Sequence, residues 1–321
     1  MPLNYDVIVR SEASIRPYII TTPLRFSASL SRPTGASVFL KCEHLQRSGS
    51  FKIRGALAAV AAIAGSKDAR HGVVTSSAGN HGIGLSRAAA RFSMRCAVVV
   101  PADAPERKRA AILDAGGELV VAKAAGYDAA QSWLFENLEA IGGTYVSGFD
   151  DDRVIAGNGG STMLELMRQA SSFDSIIVPT GGGGIAAGIG LVLKHNQADT
   201  RLIAVNAANS PAMLMSLRRG EPVLELAHEP TLADGLAGGV GSRAFGYCRH
   251  VVDEVRAVSE AEIVEGMRLL WQQENFVVEP AAATVVAALL QGGFDGQRVC
   301  AILTGRNVDW QTFARCVVRK R

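Results

Sequence analysis

The segment Ile176-Ile177-Val178-Pro179-Thr180-Gly181-Gly182-Gly183-Gly184-Ile185-Ala186-Ala187-Gly188 decides how the rest of the chain is read. Its short, uninterrupted apolar run has the character of a strand buried on both faces. The four glycines that follow let the backbone approach a phosphate closely, and the positive end of the next helix attracts it. No Gly-Lys-Ser/Thr follows, so the segment is not a P-loop. A flexible hinge would need neither the strand before nor the helix after. A nicotinamide site would need an acidic ribose partner about 20 residues further on; Asp199 is near that distance but has the surroundings of a turn.

The strand–turn–helix pattern recurs on both sides. Strands are expected at Val38–Lys41, Val73–Ser76, Ala97–Val100, Leu119–Ala122, Ile176–Val178, Leu202–Val205 and Val299–Leu303. Helices are expected over Lys52–Ala64, His81–Phe92, Pro105–Ala115, Asp128–Ile141, Gly183–His195 and Glu260–Glu274, the last opened by a Ser259/Glu262 capping box. This alternation predicts an α/β fold with right-handed crossovers. Gly142-Gly143 and Gly157–Gly160 flank Phe149-Asp150-Asp151-Asp152, a candidate crossing between two lobes.

Composition narrows the function classes. The 321 residues suggest two domains, and 48% hydrophobic with 20% charged residues is globular. A net charge of +3 without single-sign runs gives no nucleic-acid footprint. The five cysteines are scattered, with no Cys-x-x-Cys pair, which argues against a disulfide framework or a cysteine-built zinc site. The first ten residues lack a basic segment followed by an apolar core, and no apolar run is long enough to span a membrane. A cytoplasmic protein is expected. Only seven lysines stand among the 33 basic residues, so chemistry needing a neutral amine has few candidates.

One lysine is well placed. In Ser48-Gly49-Ser50-Phe51-Lys52-Ile53-Arg54-Gly55 a Gly/Ser turn runs into a helix with Lys52 at its start. The helix dipole disfavours an ammonium there, and a partly neutral lysine can form a Schiff base. Alone, a solvated lysine is the plainer reading. A third junction, Ser76-Ser77-Ala78-Gly79-Asn80-His81-Gly82, places successive backbone N–H groups at a helix start, where they can hold a carboxylate; alone, it is an ordinary capped turn. Together the three loops supply an amine, a carboxylate nest and a phosphate cradle, a set suited to pyridoxal phosphate acting on an amino acid.

With these residues in view, the chain resembles the fold-type II pyridoxal-phosphate enzymes of the threonine dehydratase and serine racemase family. The resemblance runs through Lys41–Gln46 with Ser50-Phe51-Lys52, Ser77–His81, Phe149-Asp150-Asp151 and the glycine loop. It continues through Ala233-Asp234-Gly235, Val278-Glu279-Pro280 and Leu303–Asp309. It implies a tryptophan synthase β-like fold: two open, twisted, mostly parallel sheets flanked by helices. Residues 1–71 and 150–321 would form a large cofactor-binding domain, and residues 72–149 a small domain that closes on substrate. Lys52 would carry pyridoxal 5'-phosphate and then act as the Cα base. Asn80 would meet the cofactor's phenolic oxygen, Gly181, Gly182, Gly183 and Gly184 its phosphate, Phe51 its ring and Thr304 its pyridine nitrogen, with Gly235 also at the cofactor. Ser77, Ala78, Asn80 and His81 would hold the substrate carboxylate. A hydroxyl such as Thr304 cannot force the ring nitrogen to be protonated, which favours loss of a β-leaving group over transamination. A homodimer is expected by resemblance alone.

Departures from the family pattern sharpen the expectation. The family's racemases place a serine where Ala78 stands, and a methyl group cannot transfer a proton. Two acidic positions of the family's cation site read Asn206 and Ala212, so no metal is expected there. Only 12 residues follow Asp309, so feedback through a C-terminal regulatory domain is not expected. Thr304-Gly305-Arg306-Asn307 looks most similar to hydroxyectoine-utilisation and β-hydroxyaspartate dehydratases, and Arg306 could bind an acidic side chain or simply face solvent. The expected activity is dehydration of a β-hydroxy amino acid with release of ammonia. A racemase and a non-catalytic cofactor-binding protein stand as alternatives.

Overall fold

The computed structural model describes residues 3–227 and 229–318; Lys320, the lysine nearest the C-terminus, lies outside the described residues. Its strands form two sheets. The larger contains β1 (Leu24–Phe26), β2 (Ser37–Lys41), β7 (Ser175–Pro179), β8 (Arg201–Ala207), β9 (Glu254–Val258) and β10 (Arg298–Ile302), in the order β1-β2-β10-β7-β8-β9. The smaller contains β3 (Val73–Ser76), β4 (Cys96–Val100), β5 (Glu118–Val121) and β6 (Thr144–Tyr145), in the order β5-β4-β3-β6. All pairings are parallel except β1 with β2, where Leu24 faces Lys41.

The seven expected strands are present, each shifted by no more than two residues at an end. The three that were not expected, β1, β6 and β9, each lie at the edge of a sheet. An edge strand is covered on fewer sides, so it needs no continuous apolar run and leaves a weaker trace in the sequence.

The helices that position the site are α1 (Lys52–Ala64), α2 (Asn80–Arg91), α3 (Glu106–Asp114), α4 (Ser161–Gln169), α5 (Gly184–His195), α6 (Glu260–Glu274) and α7 (Pro280–Leu290). The capping box of α6 is formed by Ser259 and Glu262. The helix expected over Asp128–Ile141 is divided at Asn137 into Tyr127–Glu136 and Leu138–Ile141. The most apolar run of the sequence becomes α7, whose first ten residues are all buried.

Gly157–Gly160, which flanks the candidate crossing at residues 149–152, is not a loop. It lies inside a helical stretch that runs from Asp152 into α4, with a π turn over Ala156–Gly160. A Cβ on Gly157 would fall 2.5 Å from the Arg54 carbonyl, and one on Gly159 2.0 Å from that of Ile185. The glycines are there to let α1 and α5 approach this helix at backbone distance.

A fully buried ionic cluster sits beside that contact. Lys41 Nζ lies 2.5 Å from Glu165, and Arg54 lies 3.0 Å from Glu165 and 2.7 Å from Glu43. Two cations and two carboxylates balance, which is what allows them to be buried. Among the described residues, no helix is long and apolar enough to cross a membrane.

Candidate active site

Lys52 is the first residue of α1, directly after the turn that the sequence marked. Its Nζ donates to the Gly148 carbonyl (2.7 Å) and lies 5.1 Å from the centre of the Phe51 ring. Desolvation pushes the amine down to about 8, while the Glu279 carboxylate pulls it the other way. A useful fraction is therefore neutral near physiological pH. The lowering expected at this position has burial as its main cause.

Gly148 leads to Phe149, and Phe149 leads to the glycine loop. A Cβ on Gly182 would lie 2.4 Å from the Phe149 ring, and one on Gly184 2.6 Å from the Phe149 carbonyl. Gly183 has φ +94°, a conformation that favours glycine, and a Cβ there would meet Met213 at 2.9 Å. Gly181 packs against Gly235 and Leu236, its missing Cβ 2.9 Å from Leu236 Cα. Among the described residues the N–H groups of Gly181 to Gly184 donate to no protein acceptor. They crown α5, where the helix dipole adds to their pull on an anion.

The third loop stands at the start of α2. Ser77 Oγ accepts from the Gly79 N–H (3.3 Å), Ala78 packs on the core of the small sheet, and the space beside Gly79 is open. The N–H groups of Asn80 and His81 find no acceptor among the described residues. The His81 ring itself turns inward: Nε2 meets the Val146 carbonyl at 3.1 Å, and the ring packs against Gly148. Burial, helped by the Lys52 charge, pushes it down to about 4, so it is neutral. Its backbone, not its imidazole, belongs to the nest.

The far wall comes from the end of β10. Thr304 is buried, and its carbonyl accepts from the Phe51 N–H (3.0 Å). Arg306 is exposed and forms no ion pair among the described residues; its N–H donates to Gly49 (2.9 Å). Burial first, and the Arg306 charge second, hold the neighbouring His44 ring down at about 4. Asn206 donates to the Thr180 carbonyl (2.5 Å) and accepts from the Leu214 N–H (3.0 Å), anchoring the approach to the glycine loop.

Two contributors escaped the reading of the sequence. The Gly148 carbonyl holds Lys52 from 96 residues away. Glu279, noted only within Val278-Glu279-Pro280, turns a buried carboxylate onto the Asn80 amide. A glutamate before a proline signals only a helix start, and nothing local could reveal a partner 199 residues distant.

The residues fit pyridoxal phosphate. N–H groups in a glycine cradle that are unpaired among the described residues suit its phosphate, and a half-buried, partly neutral amine suits its aldehyde. Comparison with known proteins agrees. The family described as pyridoxal-phosphate dependent enzyme matches residues 15–305. A beta-hydroxyaspartate dehydratase of Paracoccus denitrificans is 35% identical over 309 residues, 95% of this chain and 96% of that protein. An L-threonine ammonia-lyase of Thermotoga maritima is 34% identical over 317 residues, 98% of this chain and 78% of that protein. The crystal structure of serine racemase from Dictyostelium discoideum superposes with TM-score 0.89 at 34% identity, covering 96% of this chain and 99% of the other. The architecture is that of the fold-type II enzymes, and the chain belongs to the pyridoxal-phosphate dependent enzyme family.

Proposed function

We propose that this protein is a dehydratase that releases ammonia from a β-hydroxy amino acid. Water leaves the Cα–Cβ unit, and a second water replaces the nitrogen, so the products are a 2-oxo acid and ammonia. The observation that carries this reading is the half-buried amine of Lys52, held by the Gly148 carbonyl between N–H groups at two helix starts that donate to no protein acceptor among the described residues. Pyridoxal phosphate, when bound, draws electrons away from the substrate Cα. The chain's own residues do the rest. Gly181 to Gly184 hold the phosphate, with Gly235 packed behind them. Asn80 donates to the phenolic oxygen, Phe51 lies beside the ring, and Thr304 faces its nitrogen without imposing a proton. The Ser77 hydroxyl and the backbone N–H groups of Ala78, Asn80 and His81 hold the substrate carboxylate; the Ser77 N–H itself donates to the Val99 carbonyl (3.1 Å). Lys52, as a neutral amine, takes the Cα proton. Residues 72–149 act as the small domain that closes over substrate, and residues 1–71 with 150–321 as the domain that keeps the cofactor.

Arg306 supports a substrate with a second carboxylate, since it presents an exposed guanidinium that no carboxylate among the described residues pairs with. A 3-hydroxyaspartate is therefore placed ahead of threonine and serine, with a hydroxydiaminobutyrate of hydroxyectoine utilisation as a further candidate. A cytoplasmic homodimer completes the proposal.

Racemisation is the second reading, because serine racemases stand among the relatives. Ala78 weighs against it, having no hydroxyl to return a proton to the opposite face. The test is a panel of threonine, serine, both 3-hydroxyaspartate diastereomers and a hydroxydiaminobutyrate, scored for ammonia, with chiral analysis of recovered serine. Ammonia from at least one substrate and no accumulation of D-serine are expected. A cofactor-loaded protein that releases ammonia from none of them overturns the dehydratase reading. Arg306→Gly is expected to raise KM for hydroxyaspartate about tenfold or more and leave threonine unaffected.

A further inference from the structure

Glu279 has no part in the reaction as described so far, yet it is buried in the floor of the site. Both of its carboxylate oxygens lie 2.9 Å from the Asn80 amide nitrogen. The other end of that amide, Oδ1, accepts from Asn307 Nδ2 at 2.6 Å. Asn307 Nδ2 also donates to the Ser48 carbonyl (2.9 Å), which can only accept. The two ends of an asparagine amide have nearly the same shape but opposite hydrogen-bonding character. Here a carboxylate that can only accept faces one end, and an amide group that must donate faces the other. Only one orientation of Asn80 satisfies both.

The chain makes room for this contact. A Cβ on Gly305 would lie 2.3 Å from Glu279 Oε1, so the glycine admits the carboxylate against the backbone. The Glu279 N–H donates to the Gly305 carbonyl (3.0 Å), which fixes the start of α7 to the same strand end. Asn80 opens α2, which follows the small sheet, whereas Glu279, Asn307 and Ser48 belong to segments around the large one. The clasp therefore joins the two sheets at the cofactor's position.

We propose that Glu279 is a positioning residue, which holds the Asn80 amide in the single orientation that offers its N–H group to an anionic oxygen of the cofactor. Desolvation raises the Glu279 carboxyl to about 7, the Asn80 amide opposes the rise, Asp234 adds to it and Lys52 opposes it. Lys108 reaches Asp234 from α3. Below that range the carboxyl gains a proton, becomes a donor on one oxygen and no longer discriminates between the two amide orientations.

The test uses the holoenzyme and needs no substrate, so it stands or falls independently of the dehydratase reading. Wild type, Glu279→Gln, Asn80→Ala and the double variant are dialysed against graded pyridoxal phosphate at pH 8, and bound cofactor is read from its absorbance. Glu279→Gln is expected to weaken retention about tenfold or more, the loss of a charge-assisted hydrogen bond. The double variant is expected to be no weaker than Asn80→Ala alone. Independent, additive losses overturn the proposal, as does wild-type retention by Glu279→Gln. With cofactor removed from both proteins, so that binding does not contribute to stability, the Tm of Glu279→Gln at the same pH should equal or exceed that of wild type, because a carboxylate with a raised pKa opposes folding above its range. A lower Tm would assign the loss to the fold and overturn the positioning role.

Discussion

Lys52 and Glu279 share one physical situation. Burial disfavours the charged form of each, and each charge partly offsets the cost of the other. For Lys52 the sign is direct: its pKa is lowered, so the neutral, nucleophilic form grows as pH rises and is dominant above about 8. The rate of cofactor attachment, followed by absorbance, should therefore rise with pH and level off above about 8. A rate that stays flat between about pH 6 and 9 would count against a titrating amine as the limiting group, and Lys52→Ala should abolish attachment. The lysine was legible in the sequence because a glycine turn and a helix start are local features. The partner carboxylate was not, because its role depends on a contact between residues 199 positions apart.

At the scale of elements, glycine carried both the most and the least readable information. The glycine loop lies between β7 and α5, the strand-to-helix setting that its sequence implied. Gly182→Ala tests it: the added methyl would displace the Phe149 ring, which stands 2.4 Å from the Cβ position. Overpacking of this kind costs about 1–3 kcal/mol, enough to loosen the cofactor about tenfold. An alanine variant that retains cofactor as wild type does would show that the cradle has slack. The run Gly157–Gly160, three glycines with Asn158, is nearly as rich in glycine and serves to space three helices, and glycine content alone does not separate the two cases. The helix that contains it also carries Glu165, which neutralises Lys41 and Arg54. Glu165→Ala leaves two buried cations with one carboxylate and should destabilise the protein by about 3–5 kcal/mol in urea titrations. A loss below 1 kcal/mol would mean that water enters the cluster.

Across the whole molecule, the two sheets are tied together around the site by packing of α1 on α2 and by polar bridges at the rim. Lys108 on α3 pairs with Asp234 at 2.8 Å, and Arg107 donates to the Val308 carbonyl at 3.0 Å. Both lysine and aspartate are exposed, so the pair contributes at most about 1 kcal/mol to stability. Lys108→Ala should leave Tm within about a degree or two. If the small unit closes over substrate, the same variant should raise KM several-fold; an unchanged KM would show that the rim bridge has no part in closure. The sequence by itself determined the α/β class, the buried strands, the helix that begins at Lys52 and the glycine loop between β7 and α5. Each of these is set by apolar periodicity, glycine conformational freedom or helix-end electrostatics within a few residues. Only the tertiary structure decided the edge strands, the neutral inward-facing His81 ring, the Gly148 carbonyl on Lys52 and the Glu279–Asn80–Asn307 clasp. These depend on which distant segments are brought together out of water, where burial and a facing partner set a group's charge and orientation.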